Sequence, residues 1–204
     1  MATATFQAGT FRERGHVYTH EGRVVPSVTQ VLGLAGIDEL AHVPRRCLAQ
    51  AGAIGTAVHQ ACEFLDQDDL DLDSLDPEIV GYVLGWQRFK QEHDFSPLMV
   101  ERRGVSIAEG GKMAYGFCLD RIGAMGEHDV LLDIKTGAKA SASWAVQTAA
   151  YADAVEFDGD RMSVHLGKDG SYKIIPHQDG YDFAVWRNAL EIAYWRLNHG
   201  AKIR

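Results

Sequence analysis

An aspartate and a lysine stand two residues apart in the apolar run Val130-Leu-Leu-Asp-Ile-Lys135. On a strand they share one face while Ile134 points to the other. Such a pair can be a plain ion pair at a strand end. It can also be part of a site, in which the acid holds a cation and the ammonium stabilises developing negative charge. A second acid, Asp120, closes the run Gly116-Phe-Cys-Leu-Asp120. If the loop Gly123–Asp129 reverses the chain, the two aspartates meet across a hairpin. Two carboxylates that close repel, and one must take a proton unless a cation separates them. Oxygen donors favour a hard divalent ion, Mg²⁺ or Mn²⁺. Gln147 and Tyr151 are four apart and share a helix face. The Gln amide donates and accepts, and the Tyr hydroxyl can meet a phosphate oxygen; the bland alternative is that both cap a sheet. His59 lies in a helical pattern, where a neutral imidazole would suit Mn²⁺ better than Mg²⁺. Glu63, four residues on, reads equally as its partner or as a surface acid.

The elements that must carry these groups can be read from the spacing. His16–Val25 predicts a hairpin around Glu21-Gly22, after loosely ordered residues 1–15. Ser27 is placed to cap a helix, followed by a loop region with Pro44-Arg-Arg46. Ala57, Val58, Ala61, Cys62 and Leu65 recur at helical spacing within Ile54–Leu65. Pro77 predicts the first residue of a helix to about His93. Met99–Ile107, Tyr115–Ile122 and Val130–Lys135 read as three strands, the first two joined at Glu109-Gly-Gly111, forming an antiparallel meander. Ser143–Val155 reads as a helix capped by Ser143, Arg161–Leu166 and Tyr172–Ile175 as a hairpin, and Tyr181–Asn198 as a last amphipathic helix. This is a mixed α/β chain with a sheet flanked by helices.

The 204 residues, 46% hydrophobic and 24% charged, match a soluble domain and exclude a disordered or collagen-like chain. No apolar run is long enough to span a bilayer, and no signal peptide opens the chain, so a cytoplasmic location is expected. Cys47, Cys62 and Cys118 are widely spaced, which argues against a zinc site or a four-thiolate iron–sulfur cluster. The net charge of −8 is local: residues 51–100 hold two Lys/Arg and ten Asp/Glu, and the rest of the chain balances. Asp66–Asp76 is expected to be a solvated loop, or a docking surface or DNA mimic; calcium binding is the lesser reading, because the glycine and terminal glutamate of an EF-hand loop are missing. The overall charge argues against a general nucleic-acid-coating protein but does not exclude an enzyme that meets DNA through one face. Arg45, Arg46, Arg102 and Arg103 are candidate phosphate contacts, with simple solvation as the alternative. Among the tryptophans, Trp144 is nearest the acids and is the candidate base-stacking platform; the others read as packing.

Taken in order, Gly116-x-x-x-Asp120, Asp133-Ile-Lys135-Thr-Gly137 and Gln147-x-x-x-Tyr151 resemble the PD-(D/E)XK nuclease superfamily. Gly55-Thr-Ala-Val-His59 resembles the helix-borne histidine motif of its RecB-like exonuclease branch, and Val25-Pro-Ser-Val-Thr-Gln-Val31 is similar to the lead-in of phage-encoded members. The resemblance spans about Val25–Val155. It implies a restriction-endonuclease-like α/β core, with residues 1–25 as an extension and 26–204 as a single nuclease domain. It implies Asp120, Asp133, His59 and the Ile134 carbonyl as ligands of one or two Mg²⁺ or Mn²⁺ ions. Lys135 would position the attacking water and stabilise the phosphate, with Gln147 and Tyr151 orienting the lysine or touching DNA. Glu101 resembles an acid found at the start of the first core strand. No iron–sulfur cluster and no nucleotide are implied. The implied activity is hydrolysis of DNA, as an exonuclease on linear double- or single-stranded DNA in phage-type recombination or repair. The implied setting is the cytoplasm of a bacterial host, with no membrane and with a single-strand annealing or recombination protein as partner; a homo-oligomer around DNA is compatible. The competing readings are a structure-selective or restriction-like endonuclease, and a catalytically silent module that binds DNA ends.

Overall fold

The computed structural model describes residues 10–12, 17–38, 43–108, 111–137 and 139–203. Residues 1–9 and 13–16, Glu109 and Gly110 of the expected turn, and the Arg45 side chain lie outside them. The chain opens with three short strands, β1 (Thr10–Arg12), β2 (Val17–His20) and β3 (Arg23–Val25). The β2–β3 hairpin turns at Glu21 and Gly22, both left-handed, as the Glu-Gly pair predicts. β1 adds a third strand where loose order was expected.

Helix α1 (Val28–Ala35) starts at Ser27, whose hydroxyl accepts the Gln30 amide while the Gln30 side chain returns to the Ser27 amide. Helix α2 (Arg45–Asp66) begins nine residues before the expected Ile54. The stretch Ala49–Gly55 lacks a breaker other than exposed glycine, and alanine carries the helix through it. Arg45 and Arg46 are therefore helical, not in a loop. Asp66 closes this helix and is buried, so the solvated acidic segment starts after it, with one 3-10 turn at Leu72–Ser74. Helix α3 (Val80–Glu92) starts three residues beyond Pro77.

A five-stranded sheet follows, in the order β4 (Phe95–Ile107), β5 (Ala114–Met125), β6 (His128–Lys135), β7 (Asp160–Leu166), β8 (Tyr172–Pro176). β4–β5–β6 is the antiparallel meander, β6–β7 is parallel, and β7–β8 is an antiparallel hairpin. The expected loop Gly123–Asp129 is mostly strand: β5 and β6 continue to the Met125↔His128 pair and turn on Gly126-Glu127 alone. The parallel crossover is made by α4 (Ser143–Val155), and α5 (Tyr181–Asn198) ends the fold. The cap expected of Ser143 is not formed: Ser143 is the first helical residue of α4, Ala142 holds the N-cap position without a side-chain cap, and the Ser143 amide donates to Ser141 Oγ.

Helices cover both faces. α1, α4 and α5 pack on Tyr115, Phe117, Leu119 and Leu131. α2 and α3 pack on Val130, Leu132, Ile134, Met162 and Val164. The strands are thus apolar on both sides, as in a parallel sheet. The first sheet leans on the β4–β5 hairpin, where the Tyr18 ring occupies the space a side chain at Gly116 would need. No helix among the described residues is long and apolar enough to cross a membrane.

Candidate metal centre

The site forms where three neighbouring strands interrupt their ladder. Between β4 and β5 the register passes from Val100↔Arg121 to Arg102↔Leu119 without pairing Glu101 and Asp120. Glu101 has a left-handed backbone, φ 48, a conformation costly for a non-glycine residue inside a strand. Between β5 and β6 pairing stops at Arg121↔Leu132. Beyond it the Ile134 amide donates to Asp120 Oδ2 at 2.6 Å instead of to a carbonyl. Leu119 and Ile122 consequently enter the same apolar layer, although strict alternation would put them on opposite faces.

Into this gap α2 delivers His59. Its Nε2 lies 3.1 Å from the Ile134 carbonyl, which can only accept, so Nε2 carries the proton of the neutral ring. Nδ1 then aims its lone pair at Glu101 Oε1 (3.4 Å) and Asp120 Oδ1 (3.5 Å). Three acceptors converge, and only a proton or a cation between them makes the arrangement favourable. Their ligand atoms lie within 4.8 Å of one another.

The electrostatics reflect this crowding. Burial drives the Asp120 carboxyl up to about 7, with Asp133 and Glu101 pushing the same way. Burial opposes a charged His59, but Asp120 and Glu101 outweigh it and hold the imidazole up to about 9. Burial would raise Glu101, yet His59 and Arg121 bring it down to about 2.

The other predicted groups divide. Asp133 is 2% exposed and its Oδ2 is 2.6 Å from Lys135 Nζ, so it faces the ammonium and is not gathered with His59, Glu101 and Asp120. The contact lies off the hydrogen-bonding direction, leaving Asp133 Oδ2 without an aligned donor. The Ile134 carbonyl, expected as a metal ligand, instead fixes the His59 ring. Glu101, from the middle of β4 and not its start, completes the triad. Lys135 Nζ also donates to Gln147 Oε1 (2.8 Å), and Gln147 Nε2 donates to the Tyr151 hydroxyl (2.7 Å). Tyr151 is buried, so it orients Gln147 and does not reach a phosphate. Trp144 is buried too, its ring 5.7 Å from Lys135 Nζ and edge-on to His165, with no free face for a base.

Glu63 accepts from Gln67 on the helix surface, and His59 is instead paired with Glu101 and Asp120. Arg46 is exposed thirteen residues before His59, about 20 Å away along the helix. Arg102 and Arg103 are both exposed, and Arg103 lies along the sheet surface with Nη2 3.8 Å from Glu101 Oε2 and Nε donating to Cys118 Sγ. Sequence reasoning missed Asp66 and Arg121. Asp66 was signalled by its place seven residues after His59, on the same helix face. Arg121 was signalled by the charged pair Asp120-Arg121 inside an apolar strand.

A cleft of about 390 Å³ continues from the end of β6, lined by Thr136 and Gly137 with His165, Lys168, Ser171 and Lys173. Among the described residues, none that lines it is acidic, although Glu78 Oε1 lies 3.9 Å from Lys168 Nζ. A larger cleft of about 1130 Å³ lies between the N-terminal sheet and the ends of α4 and α5 and contains none of the site residues.

No family model matches the chain, and no curated protein matches it. A solved structure titled "Crystal structure of SSO0001" is similar over 70% of this chain and 74% of that one, at 15% identity and a TM-score of 0.41, a likeness that carries no weight for function.

Proposed function

We propose that this protein is a divalent-metal-dependent nuclease that hydrolyses DNA phosphodiester bonds, acting as an exonuclease on linear DNA. The observation that carries the reading is the convergence of His59, Glu101 and Asp120 on one point, with the Asp133–Lys135–Gln147 chain on the adjoining strand and helix. The donor set fits a divalent ion. It offers one imidazole nitrogen and two carboxylates, it is mostly buried, and Asp133 Oδ2 beside it lacks an aligned donor. His59, Glu101 and Asp120 would hold the ion. When bound, it supplies a Lewis acid at a phosphoryl oxygen and lowers the pKa of water.

The protein's own groups do the rest. Lys135, held from two sides by Asp133 and Gln147, keeps its ammonium at the edge of the metal ligands, where charge on the phosphate would build. These two partners hold the ammonium in place, and Tyr151 in turn holds the Gln147 amide. Preorganisation of this kind removes the reorganisation a mobile lysine would need during reaction. The cleft beyond Thr136, lined by Lys168 and Lys173, is suited to the next phosphate of the strand.

The test is digestion of end-labelled linear duplex with Mg²⁺, with Mn²⁺ and with chelator. Metal-dependent release of label that is lost in Lys135→Ala supports the reading, and activity surviving in Lys135→Ala overturns the site. Covalently closed circular duplex separates the modes, since an exonuclease leaves it intact. Tight DNA binding without hydrolysis under either metal would favour a silent DNA-end-binding module.

A further inference from the structure

A second charged group lies behind the three converging ligands. Arg121 is fully buried, and its guanidinium is divided among three acceptors. Nε donates to Asp66 Oδ2 at 2.6 Å, and Nη1 donates to Glu101 Oε1 at 3.1 Å and to the Asp120 carbonyl at 2.7 Å. Asp66 is equally buried and is fixed from α3 by Trp86 Nε1 (3.0 Å) and Lys90 Nζ (2.8 Å). Arg121 also lies 5.8 Å from the Trp86 ring centroid.

The placement is specific. Asp66 and His59 are on one face of α2, and Arg121 and Asp120 are neighbours on β5. The helix and strand that bring two of the ligands are therefore tied together a second time, one layer behind the site. Glu101 is the ligand most in need of a hold, because its left-handed backbone sits in a strand that leaves it unpaired. A buried ion pair is weak evidence for a role in stability, because apolar groups of the same volume often stabilise as well or better. Its direction toward Glu101 is the informative part.

We propose that Arg121, anchored by Asp66, is a positioning residue that aims the Glu101 carboxylate at His59 and Asp120 and thereby sets the affinity of the cation site. This rests on the metal-dependent reading above.

Coulomb's law and positioning predict opposite signs, which makes the test decisive. Removing a positive charge next to a cation site should tighten binding by field alone. Removing the group that aims a ligand should weaken it by about 10–100-fold. The experiment is Mn²⁺ titration of the metal-free protein by electron paramagnetic resonance, in wild type, Arg121→Met, Arg121→Lys and Lys90→Met, with melting curves for each. Arg121→Met leaves Asp66 with Trp86 and Lys90, so no acid is orphaned. Weaker Mn²⁺ binding in Arg121→Met by tenfold or more supports the proposal, and unchanged or tighter binding overturns it. Arg121→Lys keeps the charge but brings one ammonium to three acceptors. It is expected to bind weaker as well, and decides the matter if Arg121→Met does not fold. Lys90→Met removes one of the three groups on Asp66, leaves Trp86 and Arg121 holding that carboxylate, touches no ligand, and should lower the melting temperature while leaving Mn²⁺ affinity in place. An equal loss of affinity there reduces Arg121 to general scaffolding and refutes the proposal. Wild type that binds no Mn²⁺ refutes the metal reading itself, whereas wild type that binds with Arg121→Met alongside it refutes only the positioning role.

Discussion

The groups expected from sequence to hold an ion include Asp133 and the Ile134 carbonyl, whereas the three that converge in the fold include Glu101 in place of Asp133, and a pair of isosteric substitutions separates the two acids. Glu101→Gln and Asp133→Asn each remove one negative charge with little change of shape. Glu101 Oε1 is 3.4 Å from the His59 nitrogen that would face the ion. A unit charge pair at about 4 Å is worth about 4 kcal/mol at an effective dielectric of about 20, and a divalent ion doubles this. Arg121, 3.1 Å from the same oxygen, offsets part of it, and water can replace the lost ligand. A weakening of at least about 100-fold, near 2.7 kcal/mol, should remain. The charge of Asp133 is already met by Lys135 at 2.6 Å, so the pair's field at the ion nearly cancels. Asp133→Asn should keep Mn²⁺ affinity within about tenfold, or about 1.4 kcal/mol. It should nonetheless cost about 100-fold or more in hydrolysis at saturating Mn²⁺, because Lys135 loses a hold on its position. Mn²⁺ titration followed by cleavage of end-labelled duplex gives both numbers for each variant. Loss of Mn²⁺ binding in Asp133→Asn with Glu101→Gln spared would refute the assignment of Glu101 over Asp133.

Three further outcomes follow from the same geometry. In chelator, the melting temperature should fall as pH rises from about 4 to about 9: Asp120, raised from 3.8 to about 7, and His59, raised from 6.5 to about 9, both favour the protonated state in the folded chain, so their contributions fade as pH climbs through those values. Glu101, lowered to about 2, contributes evenly above 4.5, and saturating Mn²⁺ should flatten the slope; a melting temperature that rises over this window without metal would contradict the buried acid cluster. The double variant Lys168→Ala/Lys173→Ala should weaken DNA binding and reduce the slope of log affinity against log salt by about 1–2, and an unchanged slope in anisotropy titrations would remove the cleft from the substrate path. Gly81→Ala should destabilise by about 1–3 kcal/mol in urea melts, because its Cβ would lie 1.7 Å from the Lys168 carbonyl where α3 crosses the β7–β8 turn; full stability would mean that helix can shift freely.

Local physics made much of this protein legible from its residues in order. The Glu21-Gly22 turn, the Ser27 cap, the two-residue period of Val130–Lys135 and the extent of the last helix depend on neighbours a few positions away, and these elements form as their sequences predict. The shared face of Asp133 and Lys135, and the helix face that joins Gln147 to Tyr151, follow from the same periodicities. Element ends were less legible: α2 starts earlier and α3 later than their punctuation suggests, because alanine carries a helix past weak breakers and proline permits a start without requiring one. What only the folded chain decided is which acids meet. Strand periodicity assumes an unbroken ladder, and the site exists because the ladder breaks at Glu101, Asp120 and Ile134 together. That break turns Glu101 toward His59, lets Asp120 take a backbone amide in place of a carbonyl, and leaves Asp133 to Lys135. It also buries Asp66, which composition assigns to a solvated acidic run, against an arginine fifty-five positions away. Pairings across such separations depend on register and on where two strands diverge, and no short-range pattern encodes either.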